Sequence, residues 1–582
     1  MKIVKKVVMM LLCYVLVLGS LPVMAFTYPR EFWPINEQME RAVSANDYNG
    51  MITYGKQLID ILKRTEEGSE KKNAMIKRYS QIAMAYEALG DYENSRVYNQ
   101  HLFDYAGQFG EEFHDYVRVA KAKTEQFATS VELYTTGGTS PYYGAKNEKQ
   151  NGVLFGLCAD GQTRSKLGNE SMILVYQELG QTLLAYNAGI ISKAANSGVA
   201  VEFALNCPRE GTDIANIRQM ESYLKSISDL FKKYPNVPIY LRFAAEFDVW
   251  DNKAEPRQYI EAFRYVTNYI KSKNANVAMV WSPAQESSMY VNRDDYYPGD
   301  EYVDWVGVSL YAQKYFQGNP NAKKDDEILF KTGVNSDPVV AIKNLVETYG
   351  NRKPIMISES GCGHKMVKSG ENTETFAIRR LQEYLSYLPM VYPQIKVMAY
   401  FDAHVTSDKE KSDYRLSSNA NLQQEYLRLV KQPRFIQDQY SNNTDYCYRK
   451  VQDGINLSNT FEVACYAHKY NADIKTVTYF IDDKYMSVSD SVPFAAFISA
   501  KQYAGRHNLK AVVSFDDGTT MTKTAVVNIA PSGGEISVTI SGRKVNFDQE
   551  PIIYNERTMV PMRKIFESLG ATVSWNYSTQ RT

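Results

Sequence analysis

The 582-residue sequence predicts a multidomain chain organised round a (β/α)8 TIM barrel, with an α-helical N-terminal region, a C-terminal β-sandwich and a small α+β module. Three observations predict it. Eight short apolar runs, at 153–158, 172–176, 199–206, 237–243, 277–281, 305–310, 354–358 and 397–401, alternate with helical stretches such as 217–234, 256–271, 339–349 and 373–388. Buried strands alternating with helices in this way are the pattern of a closed parallel barrel. Ahead of them, Met75, Tyr79, Ile82, Tyr86 and Leu89 recur at helical spacing on one face. After them, strand-like segments at 460–466, 475–481, 509–515 and 522–529 are separated by turn signals, as in a sandwich.

Taken in order, Lys2, Lys5 and Lys6, the apolar run 7–18 and Val23-Met24-Ala25 read as an export signal over residues 1–25. A secreted or cell-surface protein is expected. No later run approaches the ~20 apolar residues of a membrane span. With 66 basic and 66 acidic residues the net charge is zero, so nothing advertises the basic surface of a nucleic-acid binder, and no nucleic-acid partner is expected. The 44 tyrosines offer rings suited to stacking on sugars as well as to packing. After Cys13 the cysteines are Cys158, Cys207, Cys362, Cys447 and Cys465, an odd set with no zinc spacing. Either Cys447 pairs with Cys465 or all five are buried thiols; no metal and no cofactor is expected. In the helical region, 26–130, Ala85-Tyr-Glu-Ala-Leu-Gly90-Asp-Tyr92 resembles the joint of a tetratricopeptide repeat, with Gly90 capping the first helix. Ala45-Asn-Asp-Tyr48 echoes it at a different spacing from that family's repeat, so a helical spacer domain is the expectation.

The barrel is expected over 131–436. Its fourth strand leads into Glu246, with Asp248 and Trp250 beyond, and its seventh leads into Glu359. The carboxyl ends of parallel strands are where such barrels do chemistry, and two carboxyl groups converging on one mouth are what glycoside hydrolysis requires. One must protonate the leaving oxygen and so keep its proton; the other must stay ionised. Glu246 and Glu359 are therefore the candidate catalytic residues. Arg242, four residues before Glu246, points to the mouth if the strand is regular, or makes a salt bridge inside the barrel. Trp250 and Trp281 stand at strand ends as sugar platforms or as packing. His364 is left unassigned.

Several stretches carry a family resemblance. Strand four with its glutamate, Val280-Trp-Ser-Pro283, the run from Tyr297-Pro-Gly-Asp-Glu-Tyr to Tyr311, and Lys353-Pro-Ile-Met-Ile-Ser-Glu359 together resemble glycoside hydrolase family 26, mainly β-mannanases and related β-glycanases. The resemblance implies a retaining barrel with Glu246 as acid/base, Glu359 as nucleophile and Tyr311 orienting the nucleophile. Two positions depart from the family pattern: Ala245 replaces a histidine, and Asp248 stands where asparagine is common. An Asp248 carboxylate beside Glu246 raises the pKa of one of the two by repulsion. Arg242, Asp248, Trp250, Trp281 and Tyr311 make up the expected substrate-binding set. The expected function is a secreted retaining endo-β-glycanase acting on mannan or a related β-glycan; the alternative is a catalytically lapsed surface protein that binds glycan or scaffolds the envelope.

Residues 437–445 read as a linker, 446–530 as an immunoglobulin-like sandwich, and 531–534 as a second linker. The tail, 535–582, resembles the copper amine oxidase N-terminal-like module of Gram-positive surface proteins, a stalk domain in that family. It contains no histidine, so no copper is expected, and the module reads as incomplete at Thr582. A polysaccharide substrate and cell-wall association through these modules are the expected partners.

Overall fold

The computed structural model describes residues 28–159, 170–182, 185–249, 254–288, 291–315, 337–402, 412–437, 446–458, 460–530 and parts of 538–573. Residues 1–27, which include the expected export signal, Trp250, Trp575 and the linkers at 438–445 and 531–534 lie outside them. The chain divides into two compact units, which meet in sequence between Ala128 and Thr129.

The first unit is helical: Phe32–Ala45, Tyr48–Lys63, Ser69–Ala88, Tyr92–Ala106 and His114–Gln126, with a 3-10 turn before the last. Asp47 and Asp91 start two of the helices by accepting the N–H groups of Gly50 and Asn94 at 3.0 and 3.1 Å, donors that a helix start otherwise leaves unbonded. Gly90 makes the left-handed turn at φ 75°. Met75, Tyr79 and Ile82 are buried as their spacing indicated, whereas Leu89 is exposed because it lies past the last helical residue, Ala88.

In the second unit, eight parallel strands close into a barrel: Leu154–Ala159, Met172–Glu178, Ala200–Asn206, Ile239–Phe243, Val277–Trp281, Trp305–Ala312, Ile355–Cys362 and Ile395–Asp402, here strands one to eight. Strand eight pairs with both strand seven and strand one. The strands read as continuous apolar runs because both of their faces are buried. One face meets the surrounding helices. The other fills the interior with Leu154, Met172, Leu174, Ala200, Ala204, Tyr240 and their neighbours. Two buried charged residues, Glu202 and Arg242, interrupt this apolar lining.

Residues 139–150 floor the amino-terminal end of the barrel. The indole of Trp305 donates to Lys146 O at 2.8 Å, Tyr240 donates to Asn147 O at 2.7 Å, and the Asn147 amide donates to Ile239 and Asn276 carbonyls at 3.0 Å. Lys396, buried, donates to the carbonyls of Lys149 and Gln150 at 2.9 Å and lies 3.5 Å from Glu148. The barrel's ends are clasped there: Val153 N donates to Arg434 O at 2.8 Å and Ile436 N to Val153 O at 2.9 Å.

The domain boundary differs from the expected one. Ser130–Gly138 is a strand of the sandwich, lying between Cys447–Lys450 and Thr460–His468 in a four-stranded sheet completed by Ala496–Ser499. Facing it is a five-stranded sheet of Ile455–Leu457, Thr520–Ile529, Gly505–Phe515, Ile474–Ile481 and Lys484–Ser489. The barrel is thus inserted after the first strand of the sandwich. Cys447 and Cys465 pair with Gly138 and Leu133 on opposite sides of that first strand, and no disulfide joins them. The tail forms two short hairpins and the helix Met562–Ser568.

Candidate active site

Strand four ends at Phe243, and the chain then turns sharply. Ala244 and Glu246 both adopt left-handed backbone, φ 45° and 57°, a conformation that costs a side-chain-bearing residue of order 1–3 kcal/mol and recurs at functional sites. Glu246 N donates to Ser282 O at 2.8 Å, which pins the turn against the end of strand five. Glu246 is therefore carried by a strained turn rather than by the regular strand the sequence suggested. Glu359 stands within strand seven, opposite Ser309 and directly after a bulge at Ser358 of the same strand.

Arg242 joins the two. It is buried inside the barrel, donating from Nη1 to Glu359 Oε2 at 2.5 Å, from Nη2 to Ser309 Oγ at 2.6 Å and from Nε to Ser282 Oγ at 3.2 Å; Nη2 lies 3.7 Å from Glu246 Oε1. Both readings of Arg242 hold: it points up to the mouth and makes an internal salt bridge. Tyr311 donates to the other Glu359 oxygen at 2.5 Å. Ser282 has room because position 307 is glycine; a Cβ there would meet the Ser282 side chain at 2.9 Å. The side chains of Glu246 and Glu359 remain 21% and 13% exposed, so the pair is reachable from the mouth.

These contacts push the two carboxyl groups apart in acidity. Burial raises the pKa of Glu246 to about 7, the Glu359 charge adds to this, and Arg242 and the Ser309 hydroxyl oppose it. For Glu359, burial also favours the neutral acid, but Arg242 and the Tyr311 hydroxyl outweigh it and hold the group below the usual carboxylate range. Below about pH 7 the site thus pairs a protonated Glu246 with an ionised Glu359 about one guanidinium.

Asp248 does not reach the mouth. It is completely buried, accepting from Ala284 N at 2.9 Å and Ser287 Oγ at 2.7 Å, so it braces the loop after strand five instead of meeting substrate. Its effect on Glu246 is weaker than that of burial or of Glu359. Asp248→Ala is expected to lower stability by about 1–3 kcal/mol, the cost of orphaning two buried donors, while glycan affinity changes less than about twofold, below the ~1.4 kcal/mol of a tenfold effect; thermal melts and binding titrations check it. Trp281 is also no sugar platform. It is fully buried, with ring centroids of Phe247, Tyr297 and Tyr349 at 5.4, 5.1 and 5.3 Å. Trp250 lies outside the described residues. His364 is buried, its Nε2 3.0 Å from Ser418 Oγ, and ties the loop after strand seven to residue 418.

The sequence reading passed over several groups. Ser282 and Ser309 hold Arg242, and half-buried Tyr176 and Phe401 join the expected Tyr311 in a ring about Glu359, with Phe401 6.0 Å from Tyr176 and 6.4 Å from Tyr311. Tyr414 packs on Tyr311 at 5.0 Å. Tyr176 and Phe401 sit near the carboxyl ends of strands two and eight, and that position was the available signal.

Residues 196–372 match the family model for glycosyl hydrolase family 26, and residues 539–582 match that for the copper amine oxidase N-terminal domain. The barrel is accordingly a family 26-like domain, followed by a copper amine oxidase N-terminal-like segment. The β-1,3-xylanase TXYA of a Vibrio species is 35% identical over 78 residues, 13% of this chain and 17% of that protein. A β-1,3-xylanase of an Alcaligenes species is 28% identical over 118 residues, 20% and 24% of the two chains. The chain thus spans about a fifth of the length of these curated relatives. A family 26 β-mannanase structure from Bacteroides ovatus has 15% identity and a TM-score of 0.36, over 49% of this chain and 90% of that one.

Proposed function

We propose that the barrel is a retaining glycoside hydrolase that cleaves a β-linked polysaccharide, mannan or a related β-glycan such as β-1,3-xylan, by double displacement. The observation that carries the reading is the single Arg242 guanidinium in contact with Glu359 and close to Glu246, with Tyr311 on the far oxygen of Glu359. In this reading Glu359 attacks the anomeric carbon while Glu246 protonates the departing oxygen. Glu246, now a carboxylate, then takes a proton from water as the water displaces Glu359 from the sugar. Arg242 and Tyr311 keep Glu359 ionised before attack and stabilise it as it leaves. The aromatic ring formed by Tyr176, Tyr311 and Phe401 suits the apolar face of a pyranose. No metal or cofactor takes part in this scheme. We further propose that residues 1–25 direct export and that the C-terminal segment associates with the cell surface.

A bell-shaped pH–rate profile is expected. Activity falls above about 7 as Glu246 loses the proton it must donate, and the acid limb lies below the ordinary carboxylate range because Glu359 stays ionised there. The deciding experiment is reducing-end release by residues 26–582 on mannan, mixed-linkage glucan, β-1,3-xylan and β-1,4-xylan. Cleavage of one of them, with that profile, supports the reading. A folded protein that cleaves none but retains affinity favours glycan binding without catalysis.

A further inference from the structure

Glu202 stands on strand three between Ala200 and Ala204, which line the barrel interior, and strand alternation puts it on the same inward face. Its side chain is fully buried, and neither carboxyl oxygen has a hydrogen-bond partner among the described residues. Register pairs Glu202 with Tyr240 and Ala204 with Arg242, so Glu202 lies one rung below the guanidinium on the adjacent strand. The charged groups acting on it are Arg242 and Glu359. On the flanking strands the nearest titratable hydroxyls are those of Tyr176 and Tyr240, the second of which is bonded to the floor. Three of the five Arg242 N–H groups go to Glu359, Ser309 and Ser282, and none bonds Glu202. A carboxylate with no donor in such a place is costly, and a carboxyl group so placed takes up a proton instead.

We propose that Glu202 is a positioning residue, a carboxylic acid that keeps its proton in the resting protein and so leaves Glu359 as the counter-ion of Arg242. The catalytic consequence rests on the retaining-hydrolase reading; the protonation itself does not. One guanidinium beside three carboxyl groups stabilises one full negative charge well, and a second would compete for the same donors. With Glu202 neutral, that charge stays on Glu359 at the mouth. Alkali reverses this, because an ionised Glu202 draws Arg242 inward and deprives Glu359 of its partner. Burial raises the Glu202 pKa well above the usual value, with Glu359 adding and Arg242 opposing. The folded protein therefore binds a proton that the unfolded chain has lost, and stability falls as pH rises from the ordinary glutamate range through the folded value.

The test compares residues 26–582 with the Glu202→Gln variant. At about pH 8 the infrared spectrum of the parent is expected to show a protonated-carboxyl carbonyl band that the variant lacks. Between about pH 6 and about pH 9 the parent's Tm is expected to fall several degrees further than the variant's. The acid limb of the pH–rate profile, which reports Glu359, is expected to shift by less than about 0.3 unit, because a neutral acid and a neutral amide place the same charge beneath Arg242. A Glu202 charged at rest would instead let the variant's acid limb drop by about one unit or more. Glu202→Met, similar in length and apolar, gives the same spectral loss and flatter melting if the Gln variant folds poorly. A parent without the band, parallel melting curves or a displaced acid limb overturns the proposal. If the parent cleaves no glycan, the hydrolase reading fails, and the spectra and melts still decide the state of Glu202.

Discussion

Glu359→Gln is expected to lower the turnover of the cleaved glycan roughly 10⁴-fold or more, since a neutral amide removes the covalent route altogether. Glu246→Gln is expected to cost about 10²–10⁴-fold, the usual range for losing a positioned general acid. The two losses differ in kind. An aryl glycoside with an acidic leaving group needs little protonation, so the Glu246 variant should form the glycosyl-enzyme at close to the parent rate on it and then stall, giving a burst. The Glu359 variant should show no burst on any substrate. Parent-like turnover in either variant rules out double displacement by this pair.

The second large effect belongs to Arg242. Arg242→Met removes the one cation that Glu359 contacts among the described residues, and breaking a buried pair in this way costs about 3–5 kcal/mol. The sign of the pH effect follows from the depressed pKa of Glu359. A carboxylate held low in the folded state stabilises the protein above the ordinary glutamate pKa and loses that contribution as pH falls through the folded value. In the variant this contribution is gone, so the stability loss is largest near neutrality and shrinks in acid. The acid limb of activity moves up toward neutrality at the same time. Calorimetry at two pH values and a pH–rate profile read both changes; a melting temperature equal to the parent's at neutral pH contradicts the role given to Arg242.

The barrel was legible because strands buried on both faces are written as unbroken apolar runs, and all eight appear within a few residues of their expected places. Glu246, Glu359, Arg242 and Tyr311 come together as their strand positions indicated, since strand-end position is a local property of the sequence. Trp281 and Asp248 were misread for the opposite reason. Whether a strand-end ring meets a sugar or meets Phe247, Tyr297 and Tyr349 depends on loops far away in sequence, and so does the pairing of Asp248 with Ala284 and Ser287. Ser282 and Ser309 carry no sequence signal of their own; their role exists only because Arg242 passes between them. The strand Ser130–Gly138 was missed because its partners lie beyond the whole barrel, and a single strand shows nothing of whom it will pair with.

That insertion has a kinetic consequence. Thr135 donates to Glu462 O at 3.0 Å across 327 residues of sequence, and closing so long a loop in an unfolded chain is entropically slow and unrewarded until the last contact forms. The folded barrel changes the problem, because the Val153 and Ile436 bonds at its floor bring the two halves of the sandwich to within short tethers of each other. The sandwich is therefore expected to close after the barrel. Until it does, Ser130–Gly138 is an unpaired strand with buried-type residues such as Val131 and Leu133 in the open, the kind of edge that recruits other chains. The rate at which the barrel folds sets how long the chain carries that hazard.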